Sequence, residues 1–503
     1  MRIRSPAPSA PLAAVDMGSN SFRVETGQVA QGRYRRSNYL KETVRLGAGL
    51  DSNSRLTEEA MQRGLACLAR FAEALRGFEP ARVRAVATQT LREARNRDEF
   101  LGRAQVALGY PIEVISGREE ARLIYAGVSH LQPSSTPRLV IDIGGRSTEM
   151  ILGHDRVPVS AESFKVGSVS LSLRWFPDGR FTPQAFRDAQ VAAGAELEDA
   201  LQLFAPVYWR EALGSSGTAG AVSQVLQASG ITDGTITAEG LRWCIEQCLA
   251  AGDASRLRLP SLADDRKAII GGGLSLLYTI VTHFGIKQLR PAKGALRQGV
   301  IVDLHDRLMA SRSAHARDMR DLTVRELQER FDADIDQALR VRGLALALMR
   351  TACPEVDNDA LRELGWACDL HEVGLMVSHH DHHRHGAYLV SNADAPGFSQ
   401  SQQRRIGDLV LAQRGGLTKV ESVLAQDTAA WQTLALRLAV IKCHAREDID
   451  PAAMKLRREG RNAQIRFERQ WAADHPRTMH QLREEVQAWA RQDSLKLSLP
   501  PWL

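Results

Sequence analysis

Two short stretches carry the residue types that binding and cleaving a phosphorylated compound would need. Residues 139–152 run Leu-Val-Ile-Asp142-Ile-Gly144-Gly145-Arg146-Ser147-Thr-Glu149-Met-Ile-Leu: an apolar, β-branched run ending at a carboxylate, a glycine-rich turn with hydroxyls, and a second apolar run. Residues 12–29 have the same form, and Val15-Asp16-Met17-Gly18-Ser19-Asn20-Ser21 aligns with Ile141-Asp142-Ile143-Gly144-Gly145-Arg146-Ser147, with Asp, Gly and Ser coinciding. Each reads as two strands joined by a tight turn whose glycines free backbone N–H groups to face an anion. A carboxylate beside such a turn suits a hard cation bridging to phosphate oxygens. An ordinary hairpin, with Asp and glycines serving only the turn, competes with this reading for either stretch alone. The repeat is too widely spaced for a solenoid and points to two similar half-domains, each offering one hairpin to a shared cleft.

The intervening chain supplies elements to position these turns. Thr57 caps a helix that keeps apolar spacing of three and four to Leu75. Arg82–Thr88 reads as a strand running into a helix start at Thr90–Asn96. Ile112–Ile115 is a strand, Ser116-Gly117 a turn, and Arg118 opens a helix bearing Glu119 and Glu120. Strands alternating with helices predict an α/β architecture. Ala212–Thr218 forms a third glycine-rich turn, and residues 267–302 predict a helix, the strand Lys287–Leu289, and a loop feeding a further helix. The main boundary is expected near residue 305, followed by a polar linker at Ser311–Arg317. A capping box at Thr323–Glu326 then opens a helical region reaching about residue 445, and residues 456–468 hold a candidate hairpin.

Composition narrows the class. The 503 residues are enough for about three domains, and 44% hydrophobic with 25% charged residues reads as soluble and globular. The apolar run Ala268–Val281 falls short of the ~20 residues of a membrane span, and the first eight residues lack the apolar segment of a signal peptide. Six scattered cysteines without a CxxC pair imply reduced thiols in a cytoplasmic protein, with Cys244 and Cys248 packing on one helix face. A net charge of +6 leaves room for an acidic partner such as polyphosphate, nucleotide or nucleic acid.

No GxxxxGK[ST] loop is present, nor a GxGxxG turn opening a helix. Turns between paired strands, repeated across a cleft, instead resemble the actin-like and sugar-kinase superfamily. Within it, six ordered stretches resemble the motifs of the exopolyphosphatase / guanosine pentaphosphate phosphohydrolase (Ppx/GppA) family. They are Asp16–Ser21, Ala87–Arg92, Ile115–Arg122, Ile141–Gly145, Gly214–Thr218 and Gly294–Arg297. The likeness continues more loosely through Leu370–Gly374 and His383–Tyr388. It implies an α/β fold of duplicated actin-like lobes (11–124 and 125–304) followed by a mostly helical, HD-like domain (318–503). The implied activity is exopolyphosphatase: hydrolysis of terminal phosphate from inorganic polyphosphate with Mg2+. A guanosine pentaphosphate 5′-phosphohydrolase is the alternative, and a catalytically inactive polyphosphate- or nucleotide-binding regulator comes third. The resemblance also implies a homodimer, with no specific nucleic-acid partner, and leaves peripheral membrane association open.

Carried over residue by residue, the resemblance makes Glu120 the general base for the attacking water, a role worth ~10²–10⁴ in rate. Asp142 becomes the first candidate for magnesium, Glu149 the second and Asp16 a further one. Gly18, Ser19, Asn20 and Ser21, with Gly144, Gly145 and Ser147, would hold phosphate oxygens. Arg92 would contact phosphate through its guanidinium fork. Gly217 and Thr218, with Gly214 and Ser216, would close the cleft. The spacing of Asp142 and Glu149 leaves their relative face open, because the turn between them breaks strand parity. One departure stands out: Arg146 occupies a position where the family usually has glycine. If that position needs positive φ, arginine there costs about 1–3 kcal/mol of strain; otherwise it turns outward or enters the cleft as a further phosphate ligand. The His371–His385 cluster, with His371-Glu372 where an HD enzyme carries His-Asp, reads as structural or as the lining of a basic groove.

Overall fold

The alternating apolar runs resolve into two five-stranded sheets of the same topology in the computed structural model, which describes residues 10–310, 318–447 and 454–502. The expected linker at 311–317 and the first eight residues lie outside the described residues. In the first sheet β1 (Leu12–Met17), β2 (Phe22–Ala30) and β3 (Arg33–Glu42) form an antiparallel meander. Then β4 (Val83–Ala87) and β5 (Ile112–Val114) add in parallel beyond β1, giving the order β3-β2-β1-β4-β5. The second sheet repeats this with β6 (Arg138–Ile143), β7 (Thr148–His154), β8 (Val157–Phe164), β9 (Glu211–Ser215) and β10 (Leu289–Pro291). Its order, β8-β7-β6-β9-β10, matches the first strand for strand. The central strands β1 and β6 are buried along their whole length, which is why they read as continuous apolar runs.

Helices cover the sheets where the apolar spacing requires it. Glu58–Ala74 starts at Thr57, whose hydroxyl accepts the Ala60 N–H, and packs on Arg97–Leu108. Gly117–Leu131 starts at Ser116, whose hydroxyl accepts the Glu119 N–H, so Glu119 and Glu120 fall in its first turn. This helix crosses Leu296–Ala310, and together they fill a core shared by both sheets through Ala14, Val86, Ile124, Val140, Ile151 and Val300. The crossing depends on glycine: a Cβ on Gly299 would lie 1.7 Å from the Leu123 carbonyl oxygen, and one on Gly127 would lie 2.4 Å from that of Ala295. Residue 305, the expected boundary, therefore sits inside a helix that belongs to the first unit, which runs to Arg317.

The second unit, from Asp318, is mostly helical around a core containing Trp366, Trp431 and Trp489. Its first helix, Met319–Arg330, begins before the expected capping box. Asp318 accepts the Arg320 N–H as the cap, while Thr323 lies within the helix and donates to the Pro396 carbonyl. The expected hairpin is present as β11 (Lys455–Glu459) and β12 (Asn462–Arg466), and β13 (Lys496–Ser498) joins it in parallel. In the first unit, the strand expected at 287–289 is displaced to Leu289–Pro291, where pairing with β9 fixes it. Among the described residues no helix is long and apolar enough to cross a membrane.

Candidate active site

Strand register decides what the two aspartates face. Asp16 is the penultimate residue of β1 and pairs across to Arg23 on β2; Asp142 is the penultimate residue of β6 and pairs across to Glu149 on β7. Directly opposed residues of an antiparallel pair project to the same face. Asp142 and Glu149 thus share a face, which the sequence left open.

The two turns are built alike. A Cβ on Gly18 would approach the Ser21 carbonyl oxygen at 3.1 Å, and one on Gly144 would approach that of Ser147 at the same 3.1 Å. Each turn is held from behind by the segment following its meander. The Gly47 N–H donates to the Ser19 carbonyl at 2.8 Å, and the Ser168 and Val169 N–H groups donate to the Gly144 and Gly145 carbonyls at 3.0 and 2.7 Å. The turns meet: a Cβ on Gly145 would lie 3.1 Å from Ser19 Cβ.

Between the lobes lies a cleft of about 420 Å³. Asp16, Gly18, Ser19, Asn20, Ser21, Glu120, Asp142, Gly144, Gly145, Ser147, Gly217 and Thr218 all line it, so most of the sequence candidates converge. Two do not reach its wall. Arg92 instead donates through one Nη to Glu120 Oε2 at 2.8 Å and to the Ile115 carbonyl at 3.0 Å, and through Nε to Gln89 at 2.8 Å. Glu149 is buried behind Asp142 and accepts a hydrogen bond from the Ser163 hydroxyl at 2.8 Å. Arg146 also points away: its guanidinium pairs with Glu93 at 2.8 Å and donates to the Gly47 carbonyl at 3.2 Å. Its φ is not positive, so the strain considered for it does not arise.

The cleft has an acidic and a basic side. Burial pushes the Glu120 carboxyl up to about 7; Arg92 opposes this, and Asp142 and Asp16 add to it. Burial, Glu120 and Asp142 hold the Glu149 carboxyl well above the usual range, and burial also raises Asp142. Asp16, by contrast, has arginines beside it, with Arg23 at 3.2 Å and Arg297 at 3.9 Å. Arg23, Arg36, Lys41, Arg266, Lys293 and Arg297 give the cleft its positive side. Lys41 is pushed down by burial and by Arg266, and burial lowers Arg266. These cations were not among the sequence candidates. A β-bulge is part of the reason: register shifts between β2 and β3 leave Ser37 without a partner, so Arg36, Tyr39 and Lys41 all line the cleft despite uneven spacing. The run Arg33–Arg36 was the visible signal, whereas Arg266 had none.

The donor set fits a hard divalent cation in part. Asp142 and Glu149 are paired across the strands and bear oxygens, and Arg23 and the Ser215 and Ser216 hydroxyls only partly offset burial at Asp142, as Arg92 does at Glu149, which suits magnesium. Among the described residues no three metal-ligating side chains come together, so water and substrate oxygens would complete its shell. In the second unit the His371–His385 cluster brings the His382 ring centroid to 6.2 Å from that of His379 and 6.0 Å from that of His383, but among the described residues it forms no metal-ligating group of three. His371, His382 and His383 are buried, while His379 and His380 are exposed, and His371 Nδ1 lies 2.7 Å from the Cys368 carbonyl. Glu372 pairs with Arg446 at 2.7 Å.

Comparison with known proteins gives a consistent result. The profile described as "Ppx/GppA phosphatase family" matches residues 35–308, and that of "Ppx/GppA phosphatase, domain III" matches 319–486. A Vibrio atlanticus protein named guanosine-5′-triphosphate,3′-diphosphate pyrophosphatase is 36% identical over 483 residues, covering 95% of this chain and 96% of that protein. An exopolyphosphatase structure from Cytophaga hutchinsonii aligns with a TM-score of 0.54 at 22% identity, over 59% of this chain and 98% of that one. An Aquifex aeolicus Ppx/GppA structure aligns with a TM-score of 0.50 at 23% identity, over 60% and 99%. With the duplicated topology, these likenesses establish an actin-like α/β fold, with the helical unit following it.

Proposed function

The chain belongs to the Ppx/GppA phosphatase family, and on that premise we propose that it is a guanosine pentaphosphate 5′-phosphohydrolase. The observation that carries this choice is the 36% identity to the Vibrio atlanticus pyrophosphatase across nearly the whole of both chains. It reverses the order in which the sequence alone placed the two activities. The solved exopolyphosphatase, at 22% identity, speaks for the fold alone.

In this reading the terminal 5′-phosphoryl group sits between the turns Gly18–Ser21 and Gly144–Ser147, with the other phosphates toward Arg36, Lys41 and Arg266. Glu120 takes a proton from water as the water oxygen bonds to the terminal phosphorus. The bond from that phosphorus to the bridging oxygen breaks, releasing orthophosphate and guanosine 5′-diphosphate,3′-diphosphate. Phosphoryl transfer asks chiefly for such positioning and for charge compensation. A carboxyl raised to about 7 is a better proton acceptor than an ordinary one and is still substantially ionised at neutral pH. Arg92 orients it. Asp142, on the cleft wall, is the residue that would hold magnesium, with the buried Glu149 opposite it on the paired strand adding negative charge; the ion supplies charge neutralisation and Lewis-acid polarisation at the phosphate when bound.

Exopolyphosphatase activity is the second reading, favoured by one feature: exposed Arg33 and Arg35 continue the positive charge along β3 beyond the cleft residue Arg36. Purified full-length protein with Mg2+ distinguishes the two by orthophosphate release from guanosine pentaphosphate and from long-chain polyphosphate. A higher kcat/KM on the nucleotide is expected. A higher value on polyphosphate reverses the assignment, and release from neither refutes both. Homodimerisation rests on family resemblance and is tested by light scattering on the same sample.

A further inference from the structure

One cleft arginine is anchored differently from the rest. Arg297 lies in the first turn of the helix Leu296–Ala310, and its Nε donates to Glu25 Oε2 at 3.2 Å, across 272 residues of sequence. Glu25 is fully buried on β2. It also accepts from Gln298 Nε2 at 2.7 and 2.8 Å and from the Tyr34 hydroxyl. The last contact raises the Tyr34 phenol above its ordinary range, after the larger effect of burial. Gly27 leaves room for that ring, since a Cβ there would lie 2.6 Å from it. A buried carboxylate with three donors is a built feature rather than a chance surface pair, because an unpaired one would be strongly disfavoured.

The anchor engages only one edge of the guanidinium. Among the described residues no hydrogen bond leaves either Nη of Arg297; one Nη lies 3.9 Å from Asp16, and the guanidinium lies over the Tyr39 ring with its carbon 5.1 Å from the centroid. Arg297 lines the cleft alongside both. The Nη edge is therefore held on the cleft wall with its donors unspent, and a planar fork of this kind matches a phosphate oxygen pair.

We propose that Arg297 binds a phosphate group of the substrate through its Nη edge and that Glu25 is the positioning residue that aims it. The proposal deepens the phosphoanhydride-hydrolase reading and rests on it for the identity of the cleft. It accounts for the Gly294–Arg297 motif, which the roles assigned so far leave unused. It also gives the crossing helix a part in both lobes, since Arg297 reaches Glu25 in the first sheet from the chain that completes the second.

The test separates binding from turnover. Pyrophosphate is the probe, titrated by calorimetry in Mg2+ into wild type, Arg297→Lys, Arg297→Gln and Glu25→Gln. Hydrolysis is measured in parallel on whichever of guanosine pentaphosphate and polyphosphate the wild type cleaves. Arg297→Gln is expected to weaken pyrophosphate binding about 10- to 100-fold, the range for losing a charged hydrogen-bonded pair. Arg297→Lys should recover part of the loss. Glu25→Gln should raise KM about 5- to 10-fold by the same logic, while leaving the acidic limb of the pH profile, which belongs to Glu120, where it is. Should Arg297→Gln fail to fold because Glu25 is stranded, the double variant Glu25→Gln/Arg297→Gln removes that charge and serves in its place. Pyrophosphate affinity within twofold of wild type in these variants, or no saturable binding to wild type, overturns the proposal. If wild type hydrolyses neither substrate yet the affinities fall as stated, the hydrolase reading fails and the assignment of Arg297 stands.

Discussion

Replacing Arg92 with methionine removes the only side-chain hydrogen bond that the described structure gives to Glu120, at 2.8 Å between groups about one-tenth exposed. A charged hydrogen bond in such a setting contributes about 1.5–3 kcal/mol, and one pKa unit corresponds to about 1.36 kcal/mol. Arg92 lowers the Glu120 pKa, against the larger effect of burial, so its loss raises that pKa further, by about 1–2 units. The proposed base works ionised. If it titrates near 7 in wild type, its ionised fraction at pH 7 falls about 5- to 50-fold in the variant and recovers as pH rises. The assay is kcat/KM against pH for both proteins in the same Mg2+ buffer, since that ratio reports the free enzyme. The expected result is an acidic limb displaced upward by about 1–2 units with a largely retained plateau at high pH. A limb that coincides with wild type under a plateau lowered at every pH refutes the reasoning. It would return Arg92 to the phosphate contact expected from the sequence.

Three further outcomes follow from the same geometry. Because the folded-state carboxyls of Glu120 and Glu149 are raised, the folded protein binds protons more readily than the unfolded chain. Stability is therefore lost as pH climbs from the unfolded carboxylate range through about 7. Glu120→Gln and Glu149→Gln should each raise the melting temperature relative to wild type at pH 8 and do so little near pH 4.5, while Glu120→Gln lowers turnover by ~10²–10⁴; equal melting shifts at both pH values would contradict the sign. Magnesium should raise the melting temperature of wild type at pH 8, and Asp142→Asn should lose most of that response in differential scanning fluorimetry. Gly299→Ala should destabilise by about 1–3 kcal/mol in urea titration, since its Cβ would overlap the Leu123 carbonyl; an unchanged midpoint would mean the helices do not cross so closely.

Much of the fold was legible because burial wrote it into the sequence. The strands β1 and β6 are buried throughout and read as apolar runs, and the Thr57 cap announced its helix; Ser116, read as part of a turn, caps the helix that begins at Gly117. Local signals failed where a distant contact decided the outcome. Thr323 resembles a cap, but Asp318 starts that helix earlier. Arg146 occupies a glycine position, yet Glu93 and the Gly47 carbonyl, from another part of the chain, draw its side chain away from the turn. The bulge at Ser37 realigned a basic strand that no simple alternation would place on the cleft. Arg92 was expected to contact phosphate, but it lies off the cleft wall on Glu120, a partner the sequence could not show, since pairing across 28 residues depends on how β5 meets the helix after it.

The duplication also explains why the two hairpins, so alike in sequence, are not equivalent in chemistry. At the position across from the turn aspartate, the first sheet carries Arg23 and the second carries Glu149. Asp16 therefore has a fixed guanidinium at 3.2 Å, with Arg297 nearby, whereas Asp142 has a second carboxylate beside it and Glu120 close enough to raise Glu149. A buried carboxylate group needs compensation from a proton, a fixed cation or a bound one. The first hairpin carries its cation covalently opposite the aspartate, whereas the second hairpin's own arginine, Arg146, turns away to Glu93 and leaves Asp142 only the more distant influence of Arg23. In the proposed reaction this places metal binding and proton abstraction on the side of the second hairpin, next to Glu120. The first hairpin, with Arg23 and Arg297, is left to bind phosphate. Exchanging the charges with Arg23→Glu or Glu149→Arg should then abolish turnover in either case, but only Glu149→Arg should remove the magnesium-dependent rise in melting temperature. Loss of that response in Arg23→Glu alone would mean the cation is held by the first hairpin instead.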